Sequence, residues 1–397
     1  MGAALGSPAQ VERQARREAH AENGSRTVPG TRVVFGPGAT AALPELVREL
    51  VAAGRATMPV LLVFGATSAS RPWRRRVTRE LDGLRPDVVE HARRYPTEES
   101  VGALVDAGRA CGAGIVVAVG GGSVLDAAKI ARARLAAERA EGAPALVTVP
   151  TTPGTGAEVT PFATVWDFER SKKESVASLE VRPTAAVVDP ELTATMDRRE
   201  YGSSALDALV QGVEAAWSTR STAESIALGL TAAGLVREAY EAAVQEPENL
   251  GACTAISLAG LHSGRAIAIS QTTACHAISY PLTLMTGLRH GHACSLPLGQ
   301  VLAYNARAGD CMDARGPEHV RGVVRRILRA LGVCEPREVE AVLERFRRLA
   351  GLEEWSEVEF DAASVAAQAA TYGRLSNNPR RLSRERLQTL LEDRRTR

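Results

Sequence analysis

The sequence predicts two domains, an α/β domain followed by an all-helical domain. In the first half, short apolar segments alternate with amphipathic helical segments, which is typical of a parallel sheet covered on both faces. From about Arg198 onward the pattern changes to long helical periodicity with few β-branched runs. The chain of 397 residues is long enough for two domains that each have a core.

The individual elements follow from these patterns. The predicted strands are Arg32–Phe35, Val60–Phe64, Gly114–Val119, Ala145–Val149 and Ala185–Val188. The predicted helices of the first half lie near Ala39–Ala53, Arg74–Leu81, Glu98–Ala110 and Val124–Ala137. The predicted helices of the second half are Ser203–Thr219, Thr222–Gln245, Leu250–Ile269, Val320–Leu331, Arg337–Leu349 and Ser383–Asp393. A boundary within Asp189–Arg199 gives a flexible N-terminal tail at 1–28, an α/β domain at 29–195 and a helical domain at 196–397.

Composition argues against several classes of protein. A net charge of +2 gives no general attraction to nucleic acid or membrane, and we interpret local arginine clusters as solvated faces. The six cysteines form no C-x-x-C pair, which disfavours a structural zinc site and a disulfide framework. No apolar run reaches the roughly 18 residues that span a bilayer, and the N-terminus lacks the apolar core of a secretory signal. We therefore expect a cytoplasmic protein with no nucleic-acid or membrane partner.

A glycine-rich turn joins a predicted strand to a predicted helix in VAVGGGSVLDAAK, residues 117–129. Three glycines, Gly120, Gly121 and Gly122, allow an anion to approach the backbone, and the following helix start presents unpaired N–H groups. Ser123 could cap the helix or donate its hydroxyl to the same anion. The pattern indicates a pyrophosphate site, although it is neither G-x-G-x-x-G nor a Walker A loop. The alternative is an ordinary strand-to-helix turn.

A second loop of similar character follows the strand Ala145–Val149. Thr151, Thr152 and Thr155 offer hydroxyl groups between glycines that permit a close approach. This signal is weak alone, but open α/β sheets bind ligands at the carboxyl ends of their strands. Two such loops therefore favour one shared ligand site.

Four residues of the helical half could hold a metal ion. Asp207 and Gln211 are four positions apart, which puts them on one helical face, and His276 and His290 follow later. A carboxylate, an amide oxygen and two imidazoles suit Zn(II) or Fe(II). His276 could instead be a core histidine with satisfied hydrogen bonds, and His290 and His292 could form a polar loop. A buried Asp207 would still need a partner.

The order and spacing of these motifs resemble the iron-containing (group III) alcohol dehydrogenase family. The resemblance is carried by GGGSVLDAAK, PTTPGTGAEVT, Asp189-Pro190, DALVQGVEA and HAISYPLT followed by HG, over roughly Val33 to Arg380. It implies an N-terminal Rossmann-like, parallel-sheet dinucleotide domain and a C-terminal helical metal-binding domain. It also implies NAD(P)-dependent aldehyde reduction with Fe(II) or Zn(II). Since the family is often dimeric, a homodimer is one expected assembly.

The resemblance assigns roles to individual residues. As metal ligands it implies Asp207, His276 and His290. As cofactor contacts it implies Gly65, Gly120, Gly121, Gly122, Ser123, Asp126, Thr151, Thr152, Thr155 and Lys173. Gln211 stands where the family usually has a histidine, so we expect weaker metal binding there, with metal loss as the competing interpretation. Tyr280 replaces a second frequent histidine and could relay a proton or fill space.

Gly65 bears on the choice of cofactor. NAD-preferring members of the family tend to carry an aspartate at this position, which binds the adenosine ribose and repels a 2′-phosphate. Here the carboxylate is missing, and Arg71, Arg74 and Arg75 follow shortly after. We therefore expect NADPH, with NADH as the alternative.

Arg265 bears on the choice of substrate. It lies among small apolar residues in a predicted helix, at a position that is usually uncharged in members acting on simple alcohols. A guanidinium there suits phosphonate oxygens, unless it reaches the surface or pairs with a structural carboxylate such as Glu214. Together with ISQTTACHAISYPLT and the SNNPR segment, Ser376–Arg380, this resembles the branch that reduces phosphonoacetaldehyde to 2-hydroxyethylphosphonate in the biosynthesis of phosphonate antibiotics and other natural products.

Three other functions stay open from the sequence. A reductase of a neutral aldehyde or polyol would use the same site. A dehydroquinate-synthase-like cyclase would use NAD without net consumption of reduced cofactor. A metal-free binding protein would bind NADPH without turning over an aldehyde.

Overall fold

The computed structural model describes residues 30–66, 71–91, 95–139, 142–170 and 172–393. The chain separates into two compact units, Met1–Thr195 and Met196–Arg397. The predicted tail at 1–28 lies outside the described residues.

The first unit contains a six-stranded parallel sheet in the order β1-β8-β5-β4-β2-β3. Its strands are β1 Arg32–Phe35, β2 Val60–Gly65, β3 Asp87–His91, β4 Ile115–Gly120, β5 Ala145–Pro150 and β8 Ala185–Val188. β2, β4, β5 and β8 are buried along nearly their whole length, as their continuous apolar sequences predict. β4 and β5 run in register to their ends, so that Gly120 lies beside Pro150.

Four helices flank the sheet. They are α1 Leu43–Ala52, α2 Pro72–Leu81, α3 Glu98–Ala110 and α4 Gly122–Ala137. Leu43, Leu46, Trp73 and Val77 of α1 and α2 belong to the apolar core on one face of the sheet. α3 and α4 contribute to the core on the other face. The α/β architecture predicted for the first half is confirmed.

Three strands of the first unit were not predicted. β3 is an edge strand whose first two residues are exposed, so its sequence DVVEH has no clear apolar run. β6 Phe162–Asp167 and β7 Lys172–Ala177 form a separate antiparallel hairpin. Hairpin strands are selected by cross-strand packing, which a local pattern does not reveal.

The second unit is helical in the described residues, as predicted. Its helices are α5 Arg198–Trp217, α6 Ala223–Gln245, α7 Leu250–Ser270, α8 Ala274–Thr286, α9 His290–Ser295, α10 Leu298–Ala306, α11 Pro317–Leu331, α12 Glu338–Ala350, α13 Ala362–Ala369 and α14 Arg384–Glu392. The sequence patterns did not predict α8, α9, α10 and α13, which are short or, in α8, interrupted by Pro281. α7 is long and apolar enough to cross a membrane, but 83% of its most apolar window is buried within the protein, as in a core helix.

α5 is the central helix of the second unit. Of its 20 residues, 16 are buried, including the polar residues Asp207, Gln211 and Glu214. An Asp197 side chain caps its start by accepting hydrogen bonds from the N–H groups of Arg199 and Glu200. Buried polar groups in such a helix need partners, and those partners define the candidate site described below.

The contact between α5 and α6 depends on two glycines. A Cβ atom at Gly229 would lie 2.3 Å from the carbonyl oxygen of Gly212, and one at Gly212 would lie 2.5 Å from the carbonyl oxygen of Gly229. Both obstacles are backbone atoms, which cannot rotate away. The two helices therefore pack at a distance that tolerates no side chain at this crossing.

We predict that Gly229→Ala lowers the free energy of unfolding by ~1–3 kcal/mol, because the two helices must separate. Gly234→Ala on the same helix is the control. Its Cβ meets no atom within 4 Å, so the gain in helix propensity should leave stability unchanged or raise it by up to ~1 kcal/mol. Denaturant unfolding of both variants checks this, and equal effects would contradict the packing argument.

Candidate functional site

The glycine turn lies at the carboxyl ends of β4 and β5. α4 begins at Gly122 and its N-cap is Gly121, so the expectation that Ser123 caps the helix is wrong. The Ser123 hydroxyl instead lies 3.1 Å from Nε2 of His91, at the end of β3. The helix therefore begins at Gly122, one residue before the serine.

The three glycines lie in tight packing within the chain, which is tightest at Gly120. A Cβ atom at Gly120 would lie 2.5 Å from Cγ2 of Val124. At Gly121 and Gly122 it would lie 3.0 Å from Thr152 Cγ2 and 3.1 Å from Thr155 Cγ2. The two loops therefore touch each other, as the shared-site hypothesis requires, and the small residues serve that contact whether or not a phosphate is bound.

The loops also fit an anion. Among the described residues, the buried Oγ1 of Thr152 has no hydrogen-bond partner. The first N–H groups of α4 have no partner inside the helix, and the helix dipole adds partial positive charge there. A hydroxyl and backbone N–H groups are the donors that a diphosphate needs. The assignment of Thr151, Thr152, Thr155, Ser123 and the glycines to the cofactor stays a prediction.

Asp126 and Lys173 belong to the same unit but have structural partners. The Asp126 carboxylate accepts hydrogen bonds from the N–H and hydroxyl groups of Thr164, both at 3.0 Å, which ties α4 to β6. Burial raises the pKa of Asp126. The Lys173 ammonium lies 5.2 Å from the centre of the Trp166 ring. Their predicted cofactor contacts remain untested.

Gly65 ends β2, and the three arginines expected to receive a 2′-phosphate have different surroundings. The Arg74 guanidinium lies over Phe64, 4.8 Å from its ring centre, and pairs with Glu90 at 2.6 Å. Arg71 donates to the carbonyl oxygen of Thr195, and Arg75 is exposed. Of the three arginines, Arg74 thus has a contact that places it beside the end of β2.

In the second unit, four donor groups converge. Four side chains each contribute one donor atom, and these atoms all lie within 4.8 Å of one another: Asp207, His276, His290 and Cys294. Nε2 of His276 is 3.4 Å from Oδ1 of Asp207, and Nε2 of His290 is 3.7 Å from Sγ of Cys294. Oxygen, nitrogen and sulfur donors at these distances fit one divalent metal ion. Three of the four residues were predicted from the sequence.

A fully buried carboxylate orients His276. Glu214 of α5 accepts from Nδ1 of His276 at 2.5 Å, and its other oxygen accepts from the Thr273 hydroxyl and the Cys275 N–H. Burial by itself would raise the pKa of Glu214, but the charge and hydrogen bond of His276 and the bonds from Thr273 outweigh it and lower that pKa. A hydrogen-bonded Nδ1 leaves Nε2 directed at Asp207 and available to a metal.

α9 approaches α5 closely enough to bring His290 to Asp207. A Cβ atom at Gly291 would lie 2.0 Å from the carbonyl oxygen of Ser203 and 2.8 Å from Cβ of Asp207. The N–H of His292 donates to the Ser203 hydroxyl at 3.0 Å. His290 is therefore a candidate ligand, and the adjacent Gly291 allows it to approach Asp207.

His292 is a core histidine and not part of the donor cluster. Its Nε2 lies 2.8 Å from the carbonyl oxygen of Glu353. Burial is the main reason why its pKa falls to about 4, so the ring is neutral near pH 7. The alternative of a polar loop at His290 and His292 is wrong, because both lie in α9.

Gln211 and Tyr280 lie in the same unit as the cluster. Oε1 of Gln211 is 3.0 Å from the Ser263 hydroxyl, and its role as a ligand stays a prediction. The buried Tyr280 ring stacks on His290 with 5.8 Å between ring centres and meets Tyr372 edge-on at 5.0 Å. Tyr280 therefore lies beside the candidate ligand His290, which is compatible both with relaying a proton and with filling space.

The sequence analysis missed Cys294 and the true role of Glu214. Cys294 follows His290 by four residues, which is one helical turn, so the spacing could have indicated it once α9 was known. Glu214 was considered only as a partner of Arg265. Its two oxygens accept hydrogen bonds from Thr273, Cys275 and His276, a role that the sequence did not indicate.

The SNNPR segment is held by bonds within its own unit. Asn377 donates to Oε1 of Gln271 and the carbonyl oxygen of Thr272, while Asn378 exchanges two hydrogen bonds with Asn305. The Arg380 guanidinium stacks on Tyr304 at 3.8 Å. These contacts tie the segment to α10 and to the turn between α7 and α8.

Comparison with known proteins agrees with both units. Residues 30–190 match the family described as iron-containing alcohol dehydrogenase, and residues 202–394 match the C-terminal domain of the Fe-containing alcohol dehydrogenase family. The chain belongs to the iron-containing alcohol dehydrogenase family. It is thus a metal-dependent oxidoreductase of the alcohol dehydrogenase and aldehyde reductase class, using NAD(H) or its phosphorylated form and a divalent metal. This membership favours the dehydrogenase over the cyclase alternative.

Individual relatives extend the comparison. Phosphonoacetaldehyde reductase from Streptomyces viridochromogenes is 46% identical over 355 residues, covering 84% of this chain and 89% of that protein. Sulfoacetaldehyde reductase from Bilophila wadsworthia is 27% identical, covering 78% and 84%. Among solved structures, sulfoacetaldehyde reductase from Bifidobacterium kashiwanohense in complex with NAD+ superposes with a TM-score of 0.78 at 26% identity, covering 94% and 98%. An iron-containing alcohol dehydrogenase from Thermococcus thioreducens gives 0.80 at 21%, covering 92% and 98%, which shows the shared fold.

We predict that Glu214→Gln weakens metal binding by ~10–100-fold. The amide NH2 group cannot accept the hydrogen bonds that the carboxylate accepts, so His276 would lose its orientation. Chelator competition on the purified protein measures the affinity.

Glu241→Gln is the control for this variant, since Glu241 forms an exposed pair with Arg345 and should leave metal affinity unchanged. Unaltered affinity in Glu214→Gln would contradict the orienting role of Glu214.

Proposed function

We propose that this protein reduces phosphonoacetaldehyde to 2-hydroxyethylphosphonate with NADPH, as a step of phosphonate natural-product biosynthesis. One observation carries the substrate: the 46% identity to phosphonoacetaldehyde reductase, extending over 89% of that relative. The family supports the reaction class. In the balanced reaction, aldehyde, NADPH and one proton give the primary alcohol and NADP+.

In this proposal Asp207, His276 and His290 hold the metal, and the glycine turn with Thr152 holds the cofactor diphosphate. A bound divalent metal supplies Lewis-acid polarisation of the carbonyl oxygen, and a reduced nicotinamide supplies the hydride. The chain contributes the orientation of both groups. Glu214 keeps His276 in the tautomer that presents Nε2 to the metal.

Tyr280 is the proposed proton donor to the product alkoxide. Its ring is buried against His290, which puts a phenol in the part of the unit where the donor cluster lies. General acid catalysis requires a donor within hydrogen-bond reach, directly or through water.

Arg265 is the proposed anchor of the phosphonate. It is half-buried in α7, between the buried residues Gly264 and Ala266. A planar guanidinium binds two phosphonate oxygens at once, which gives orientation as well as affinity.

Sulfoacetaldehyde is the second candidate substrate. Two relatives, at 27% and 26% identity, carry the name sulfoacetaldehyde reductase. Sulfoacetaldehyde and phosphonoacetaldehyde are both short aldehydes with an anionic group on the adjacent carbon, and the same arginine could bind either. The much higher identity to phosphonoacetaldehyde reductase favours the phosphonate.

The proposed function is tested with an aldehyde panel on metal-reconstituted protein. NADPH oxidation is followed with phosphonoacetaldehyde, sulfoacetaldehyde and propionaldehyde. We expect kcat/KM to be highest for the phosphonate. A preference for the neutral aldehyde would replace this proposal with the general aldehyde reductase, and a preference for the sulfonate would replace the substrate alone.

We predict that Arg265→Ala raises KM for phosphonoacetaldehyde by ~10–100-fold, since a charge-assisted hydrogen bond contributes ~1.5–3 kcal/mol. The KM for propionaldehyde should change little, because that substrate has no anion. Arg325→Ala, an exposed arginine of α11, is the control that removes a charge elsewhere on the unit. Equal changes for the two aldehydes would refute the anchoring role.

We predict that Arg74→Ala lowers the ratio of kcat/KM for NADPH to that for NADH by at least ~10-fold. The reason is the proximity of Arg74 to the end of β2, where Gly65 carries no carboxylate that would repel a 2′-phosphate. Arg79→Ala, an exposed arginine on the same helix, should leave the ratio unchanged. A wild-type enzyme that prefers NADH would overturn the choice of cofactor.

A further inference from the structure

Cys294 lies inside the donor cluster, although neither the sequence patterns nor the family resemblance pointed to it. It is fully buried, one helical turn after His290 on α9. Its sulfur is 3.7 Å from Nε2 and 3.9 Å from Nδ1 of His290. The same short helix thus presents an imidazole and a thiol to one point.

The distances in the cluster match those between ligands of one tetrahedral ion. With metal–nitrogen and metal–oxygen bonds of about 2.0–2.1 Å, two such ligands stand about 3.4 Å apart, and Nε2 of His276 is 3.4 Å from Oδ1 of Asp207. With a metal–sulfur bond of about 2.3 Å, sulfur and nitrogen stand about 3.5 Å apart. The observed separation of Sγ and Nε2 is 3.7 Å. Two independent pairs therefore have the spacing that a shared ion imposes.

Gln211 is the weaker candidate for the fourth position. Its amide oxygen is 3.0 Å from the Ser263 hydroxyl, a partner that already satisfies it in part. An amide is also a neutral donor, whereas a thiolate carries a charge. Asp207 and a Cys294 thiolate together would neutralise a divalent ion, which reduces the cost of burying it.

We propose that Cys294, as a thiolate, is the fourth protein ligand of the metal in place of Gln211, and that the site consequently favours Zn(II) over Fe(II). This inference rests on the ligand set of the proposed function. Binding forms the metal–sulfur bond and releases the thiol proton to solvent. A soft thiolate ligand favours Zn(II) over Fe(II). This preference is smaller in a site made of carboxylate, imidazole and amide ligands. Zinc accepts a fifth ligand, so four protein donors do not close the site.

Cobalt(II) reports this ligand directly. The purified full chain is stripped of metal by chelator and titrated with Co(II) under anaerobic conditions. We expect a near-ultraviolet thiolate-to-cobalt charge-transfer band that saturates at one equivalent. Cys294→Ser should lose the band while the weaker visible cobalt bands show that the metal is still bound. Its Zn(II) affinity should fall by at least ~10-fold, with a smaller loss for Fe(II).

Two control variants separate the ligand from its neighbours. Cys275→Ser removes another fully buried thiol, adjacent to His276, and should keep the charge-transfer band. Gln211→Ala should keep it as well. A thiolate band in the wild type must come from a cysteine. If Cys294→Ser does not fold, the spectrum of Cys294→Ala takes its place. The spectra of Cys275→Ser and Gln211→Ala then show whether the band survives changes to neighbouring residues.

The outcomes distinguish this inference from the proposed function. Stoichiometric cobalt without a thiolate band in the wild type, or a band that persists in Cys294→Ser, would overturn the role of Cys294. Aldehyde reduction in that same protein would leave the proposed function standing. A thiolate band that depends on Cys294, in a protein that turns over no aldehyde with NADPH, would instead support the ligand and refute the function.

Discussion

The candidate metal site depends on one buried carboxylate, Glu214. It lies within α5, and it accepts hydrogen bonds from the hydroxyl of Thr273, the N–H of Cys275 and the ring of His276. An ionised group without exposure to water needs such donors to remain charged. The same bonds fix the beginning of α8 against α5. Folding stability and the orientation of a ligand are therefore provided by the same interaction.

Close backbone contact is the second constraint, and both units use it. Gly291 lets α9 reach α5 beside Asp207, and Gly121 and Gly122 let the turn after β4 reach Thr152 and Thr155. In each case the glycine is next to residues with candidate functional roles. A side chain at Gly291 would collide with the carbonyl oxygen of Ser203, whereas one at Gly121 or Gly122 would crowd the methyl group of a threonine.

The donor set of the second unit differs from the set that the sequence motif suggests. An amide stands at position 211 where an imidazole is usual for the family, and a thiol joins the cluster from one turn beyond His290. A donor from another helix can compensate for the loss of a ligand at one position, because a metal ion requires donor atoms at suitable distances and not a particular helix. Residue-by-residue transfer of a motif misses such an exchange.

The sequence by itself determined the class of fold, most of the long elements and the two loops of the first unit. Apolar strands buried on both faces and long amphipathic helices leave a periodic pattern that reflects local geometry. It also identified Asp207, His276 and His290, since their motif survives in order and spacing. Only the tertiary structure showed that Glu214 holds His276, that Cys294 joins the cluster, and that α4 begins before Ser123. The physical reason for the first two is sequence separation, which no local periodicity encodes: Glu214 and His276 are 62 residues apart, and Asp207 and Cys294 are 87 apart (294 − 207).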